Sequence, residues 1–351
     1  MTLDEWRVIA DRGRAAGLDD LGVTSARPWS ATRDVIESRR HAGLAGDMEF
    51  TYRNPARSAD PSRLLRHAAS LVVGARSYVQ DVPQPPTGTA VARVARYASA
   101  DHYERLRVGL DAVADALREL GFRAAVLADD NALVDREAAW RAGIGWYGHN
   151  SLLLRPGHGS WCVLGSVVTD ARLPRPLAPL SDGCGPCRRC IPACPTGAIG
   201  QDRDVDARRC LAWLLQAPGD FPMEFREALG DRIYGCDDCQ EVCPPNRVEV
   251  ARHQRSGTIT VEDDPGIWLD AIDLLGRTDD ELLAAVDRWY LPGRDLGVVR
   301  RNLLVVLGNS GPTLQPGVAD TLDRYAGGPD DRLAEHARWA QGRLGLNNGS
   351  S

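Results

Sequence analysis

Two runs of cysteine constrain this chain more than any other feature. The first reads Cys184-x2-Cys187-x2-Cys190-x3-Cys194-Pro195. This is the bacterial ferredoxin spacing, in which three thiolates hold one [4Fe-4S] cube and the fourth reaches across to another. Two-residue gaps let a tight loop wrap three corners of a cube with its backbone N–H groups turned toward sulfur. The fourth cysteine leaves on a helix, and Pro195 breaks the chain direction there. The second run, Cys236-x2-Cys239-x3-Cys243-Pro244, lacks one member, and Cys210 upstream can supply it. The crossed arrangement gives the first cluster Cys184, Cys187, Cys190 and Cys243, and the second Cys194, Cys210, Cys236 and Cys239. Zinc also takes four thiolates across two-residue gaps. Zinc ribbons, however, pair two Cys-x2-Cys knuckles and need neither the further cysteine nor the prolines. Cys162, inside the apolar stretch Ser160-Trp161-Cys162-Val163-Leu164, reads as a packed small residue.

The opening residues, Met1-Thr2-Leu3-Asp4-Glu5-Trp6, show no charged-then-apolar signal layout and no twin arginine. No apolar run is long enough to cross a bilayer. The expectation is a cytoplasmic protein without membrane association, where thiols stay reduced and nine cysteines argue for metal rather than disulfides. The net charge of −6 excludes a global basic field, though not local basic patches. All 42 basic residues are arginine, as in a composition that favours Arg codons. Schiff-base chemistry on lysine is therefore excluded.

Helical spacing over 3–16 stops at Gly17, and 21–24 reads as a short strand. Helical spacing returns around Val35 and Ile36. Leu71-Val72-Val73-Gly74 is a buried-strand candidate, and Pro83, Pro85 and Pro86 mark a loop. Residues 101–120 form a long amphipathic helix, followed by a strand over 122–127, a helix over 138–143 and a strand over 161–168. This alternation predicts an α/β domain over 1–175. A linker with Pro174, Pro176 and Pro179 leads to a compact ferredoxin-like segment, 176–250. Beyond about 265 the pattern is purely helical, with segments 278–288, 297–308 and 330–344 suggesting a HEAT-like repeat over 251–351. A plain ferredoxin needs far fewer residues, so the clusters must feed something else.

The chain resembles the epoxyqueuosine reductase family over most of its length. The resemblance rests on Gly46-Asp47-Met48-Glu49-Phe50 with Arg57 and Asp60-Pro61; Arg96-Tyr97-Ala98 with Asp101; and Asp129 ahead of Arg141-Ala142-Gly143-Ile144-Gly145-Trp146. It continues through Asn150-Ser151-Leu152-Leu153-Leu154, Gly159-Ser160-Trp161, the ferredoxin run, Tyr234-Gly235-Cys236-Asp237-Asp238-Cys239-Gln240, and Arg301-Asn302 with Leu307-Gly308-Asn309. The cysteine spacing alone is shared with many ferredoxin-like proteins; joined to Arg-Ala-Gly-x-Gly-Trp it is specific.

The resemblance implies a base-off cobalamin in the N-terminal domain beside the nearer cluster. It implies reduction of the epoxide of epoxyqueuosine at the wobble position of tRNA, and a helical region that helps hold the anticodon stem-loop. An external low-potential donor would supply electrons. The proton donor by motif position is Asp129, whose carboxyl would stay protonated if buried against an apolar face. Arg57, Tyr97, Ser151, Ser160, Trp213 and Asp237, together with Asp129, are the implied corrin contacts. Each has a local alternative: Asp129 as a loop acid or cap, Tyr97 as core, Ser151 as a cap, Trp213 as packing on a cluster. Arg203, Arg208 and Arg209, and Arg294, Arg300 and Arg301, are candidates for tRNA phosphates, against a solvated face balanced by acids. Two departures stand out: His149 where the family usually has Lys, and Asp101-His102-Tyr103 where it usually has Asp-Tyr-His. They leave room for a changed substrate. Competing readings are a corrinoid reductive dehalogenase, which normally carries a twin-arginine signal, and a two-cluster electron-transfer protein without catalysis.

Overall fold

The computed structural model describes residues 1–175, 177–256, 266–311 and 315–346. Pro176 of the linker and the polar tail at 347–351 lie outside the described residues. Among the described residues the strands are β1 (Asp20–Ser25), β2 (Ser70–Ser77), β3 (Val91–Val94), β4 (Ala124–Ala128), β5 (Trp146–Tyr147), β6 (Leu153–Leu154), β7 (Cys162–Thr169), β8 (Arg232–Tyr234) and β9 (Trp268–Asp270).

Helix Leu3–Ala15 begins in a capping box in which Thr2 and Glu5 satisfy each other's backbone N–H. It ends before Gly17, whose φ of +100° only glycine adopts freely. Helix His102–Glu119, capped by Asp101, buries Leu106, Leu110, Val113 and Leu117 on one stripe. Both helices lie on one face of a four-stranded sheet of order β1-β2-β7-β4. Leu71 and Val73 turn to the other face, where helix Asp135–Arg141 packs with Ala138, Ala139 and Ala142. Gly74 and Gly165 face each other across β2 and β7. A Cβ on Gly165 would come within 2.7 Å of Leu110, so this glycine lets the long helix lie close.

Every pairing in this sheet is antiparallel. The alternation of helices and strands predicted an α/β domain, but these helices do not cross over between parallel strands. The expectation that ligands gather beyond strand ends belongs to open parallel sheets, so the place of Asp129 has to be argued from its own surroundings.

A second sheet, of order β8-β3-β9, takes one strand from each third of the chain. β3 runs parallel to β8 and antiparallel to β9. β9 corrects the expectation of a purely helical end; three residues are too short to show a period. Helix Leu296–Asn309 is buried nearly throughout and packs on helix Asp331–Leu344. Helices Ala271–Gly276 and Val318–Ala326 also belong to this bundle. One apolar cluster joins Leu211, Leu214 and Ile233 of the cysteine segment to Leu303, Leu304 and Leu307 of the bundle.

Arg301 and Asn302 serve that junction. Arg301 is fully buried and donates to the carbonyls of Leu214, at 2.8 Å, of Ala217, at 2.7 Å, and of Gly219. Burial pushes its pKa down to about 10. Asn302 donates to the carbonyls of Leu215 and Ile233. Arg301 therefore cannot reach an RNA phosphate, contrary to the grouping in the sequence. Arg300 pairs with Asp279, Arg203 with Asp182 and Arg208 with Asp206. Arg209 donates to the Thr196 carbonyl. Of the six arginines, Arg294 alone is exposed with no side-chain partner among the described residues.

Candidate active site and metal centre

The first cysteine run folds as a loop into the short helix Cys190–Ala193. Asp182 accepts from the Cys184 N–H at 2.8 Å, and the Cys187 N–H donates to the Cys184 carbonyl at 3.1 Å. Cys243 shares its electrostatic surroundings with Cys184, Cys190 and Cys187, and burial pushes its thiol up to about 11. Burial also raises Cys190, with Cys184 and Cys187 as charged neighbours. Cys210 is raised by burial and faces Cys194. Cys236 is pushed up to about 12, again chiefly by burial, with Cys210 near it. Cys239 is raised by burial and by Cys236, with Cys210 also close. The thiols thus have electrostatic neighbours in two sets, Cys243 with Cys184, Cys187 and Cys190, and Cys210 with Cys194, Cys236 and Cys239, although among the described residues no three of them converge as ligands of a single metal ion. Buried thiols of this kind give up their protons only to a compensating positive charge, which iron supplies. Backbone N–H groups already face sulfur: Ala198 donates to Cys194 Sγ at 3.2 Å. Cys162 lies at the start of β7, partly buried, and desolvation raises its thiol.

Asp129 follows β4 directly, with φ of +54°. A non-glycine residue in this region is strained and marks a functional place more often than chance allows. The strain is held from both sides. Arg107 donates to the Ala128 carbonyl at 2.6 Å, and Ser58 donates to the Asn131 carbonyl at 2.6 Å. The Asp129 carboxyl is raised by burial, against Arg107 and with help from Asp130. By solvent accessibility, however, Asp129 is exposed rather than buried against an apolar face.

Three neighbours escaped the sequence reading. Asp135, at the start of its helix, is held well above the usual carboxylate range by burial and then by Asp129. Tyr103 is raised by burial and by both of these acids. Arg136 faces Asp129's partners Asp135 and Tyr103 and also Cys210 of the second four. Its guanidinium donates to the Ser151 carbonyl at 3.1 Å. Tyr103 was visible only as a departure from the family pattern. Asp135 and Arg136 had no signal beyond their place at a helix start.

The other expected contacts separate into two groups. Tyr97 packs against Tyr234, 6.2 Å between ring centres, and Tyr234 in turn feels Asp129. Arg57 is exposed on the short helix Pro55–Ser58, next to the serine that pins Asn131. Tyr97 is linked to the Asp129 site through Tyr103, and Arg57 only along the chain, by way of Ser58. Ser160 and Asp237 are instead consumed in a buried network. Ser160 Oγ donates to Gln240 at 2.9 Å, and Asn246 donates to Ser160 Oγ and to the Gln240 carbonyl. Asp237 accepts from the Arg96 N–H at 2.8 Å and from the Gln240 amide. Ser151 Oγ donates to the Arg203 carbonyl at 2.8 Å. Trp213 is buried on the helix that follows Cys210.

Cysteines in two such sets, in a chain that also carries a raised carboxyl after β4, are the parts of an iron–sulfur oxidoreductase. A model of the 4Fe-4S double cluster binding domain matches residues 183–246, which decides for iron over zinc. The epoxyqueuosine reductase of Vibrio cholerae is 32% identical over 92% of this chain and 88% of its own length. A solved epoxyqueuosine reductase bound to an epoxyqueuosine-modified tRNA-Tyr stem loop superposes with a TM-score of 0.86, at 26% identity, over 97% of this chain and 90% of that one. The enzyme of Bacillus subtilis, solved with its catalytic aspartate loop swung out of the active site, gives a TM-score of 0.82 at 26% identity over the same shares. The chain belongs to the epoxyqueuosine reductase family. Among the described residues no helix is long and apolar enough to cross a membrane.

Proposed function

We propose that this protein reduces the epoxide of epoxyqueuosine in tRNA to queuosine, with two [4Fe-4S] clusters and cobalamin as its cofactors. The observation that supports the reading is that the charge of Arg136 acts both on Cys210 of the second thiol set and on Asp135, the electrostatic neighbour of Asp129. The reaction adds two electrons and two protons, expels the epoxide oxygen as water and leaves a double bond. When bound, the clusters supply electrons singly and the corrinoid supplies a strongly reducing metal centre beside the substrate.

Asp129 holds a proton where the oxygen departs. Burial raises its pKa, which favours the protonated form, and as the C–O bond opens it protonates the alkoxide. Asp135 and Tyr103 line the buried side and keep water from levelling that pKa. Tyr103 and Tyr234 are electrostatic neighbours of Asp129 and Tyr97 packs on Tyr234, and Arg57 has no side-chain partner among the described residues. Those features fit a flat amphipathic ring with a phosphate-bearing tail. Tyr97, Arg57 and Asp129 would contact it directly. Ser160 and Asp237 would act through the wall they brace, and Ser151 and Trp213 through the second cluster's surroundings.

In this reading residues 1–175 seat the corrinoid, 176–250 hold the clusters, and 251–351 form a HEAT-like platform for the anticodon stem-loop. An external donor would deliver electrons at the exposed loop around Gly185 and Arg189, in the cytoplasm. The test is anaerobic reconstitution with iron, sulfide and cobalamin, followed by incubation with epoxyqueuosine-containing tRNA and a low-potential reductant. Conversion removes one oxygen from the tRNA mass. Fully loaded protein that leaves the epoxide intact overturns the reading.

A further inference from the structure

The loop through β5 carries polar side chains that the mechanism leaves unused. Trp146 lies against Gly183, where an added Cβ would fall 2.6 Å from the indole. Its buried Nε1–H has no hydrogen-bond partner among the described residues. His149 is 4% exposed, and neither Nδ1 nor Nε2 has a partner of good geometry. Its nearest polar surroundings are the Gly185 backbone, Arg188, Arg203 and Asp182. Gly183 and Gly185 bracket Cys184. The next residue, Asn150, faces Cys239 of the other thiol set and favours its thiolate against the effect of burial.

Buried donors are almost always satisfied. Trp146 has no acceptor among the described residues, and His149 meets only the Gly185 backbone, without good hydrogen-bond geometry; both pack on the same cysteine loop, so the group that loop holds is the acceptor left for them. We propose that His149, seconded by Trp146, donates an N–H hydrogen bond to a sulfur of the first [4Fe-4S] cluster and raises its reduction potential. The inference rests on the two-cluster reading above. Reduction adds negative charge to the cube, and N–H groups aimed at its sulfurs stabilise that charge. A neutral imidazole carries one such N–H, which is enough. His149 and Trp146 are positioning residues; neither touches the substrate.

The experiment uses the full chain, reconstituted anaerobically and titrated potentiometrically while electron paramagnetic resonance follows both clusters. His149→Leu removes both ring nitrogens. Trp146→Phe keeps the aromatic packing and loses only the N–H. In each, one of the two midpoint potentials falls and the other stays; the double variant falls further. His149→Gln, which keeps an N–H, recovers most of the shift. Two intact clusters with unchanged potentials overturn the inference, as does an equal shift of both, which reports a general change in solvation. If His149→Leu loses the first cluster, Trp146→Phe and His149→Gln still decide the matter. A parent protein without iron fails the two-cluster reading itself, a distinct result.

Discussion

The two thiol groups are chemically alike and differently housed. Around the first, Gly185, Pro186, Arg188 and Arg189 are exposed. Around the second, Leu211, Trp213, Leu214, Asp237 and Gln240 are buried. The first has a face that a partner protein can approach. The second is walled off from water but shares Arg136 with the Asp129 site. A dry wall strengthens electrostatic effects on the inner cluster and keeps its electrons from stray acceptors. In the proposed function that difference sets a direction, with electrons entering at the open group and leaving through the enclosed one.

The largest expected effect breaks the inner group. Cys210→Ala removes one ligand from the second cluster only. About half the iron is lost and turnover disappears, because the outer cluster no longer has a neighbour to pass electrons to. Iron analysis of anaerobic protein checks this. Iron equal to the parent's would refute the division into fours.

Next in size is the acid on the inner side. Asp129→Asn keeps both clusters and lowers turnover by roughly 10²–10⁴-fold, the usual worth of a general acid. The pH dependence has a definite sign. Asp129 acts protonated and its pKa is raised, so activity holds at lower pH and falls as pH rises through that pKa. The alkaline limb should vanish in Asp129→Asn. An unchanged limb would place the acid elsewhere.

A third effect sits in the wall. Asn246 is completely buried and spans Ser160 and Gln240. Asn246→Ala strands those groups and should cost about 1–3 kcal/mol of stability, read by chemical denaturation of the loaded protein. Wild-type stability would mean that the network does not brace the inner cluster's wall.

This contrast was only partly legible in the sequence. Thiol grouping could be read because two- and three-residue gaps dictate local geometry. The long helices could be read because Leu106, Leu110, Val113 and Leu117 repeat at helical spacing. The second sheet could not, because Trp268-Leu269-Asp270 becomes a strand only by pairing with Val91–Arg93 far along the chain. Antiparallel order was likewise invisible, since register is a long-range property. Arg301 looked like a phosphate ligand because nothing local marks an arginine as buried; its carbonyl partners come from a loop more than 80 residues away. Asp135 and Arg136 were missed for the same reason. Their neighbours, Tyr103 and Cys210, meet them only when the sheet end and the cysteine segment are folded together.

The smallest expected effect probes the open group. Arg188 is tied to the carbonyls of Gly185 and Cys187, so its charge is fixed in place on the outer loop. Arg189 beside it is exposed and has no side-chain partner among the described residues. On a chain of net charge −6, two adjacent cations at the electron-accepting loop favour an acidic donor such as a flavodoxin-type protein. Rim charges act mainly on the rate of encounter. Arg189→Glu should therefore slow cluster reduction by an acidic donor a few-fold at low salt, with both clusters and the stability of the fold unaltered. The gap should close as ionic strength rises and the Debye length falls below about 10 Å. Stopped-flow reduction at several salt concentrations measures this directly. Equal rates at low salt would mean that electrons enter by another face, and the outward orientation of the first cluster would lose its functional meaning.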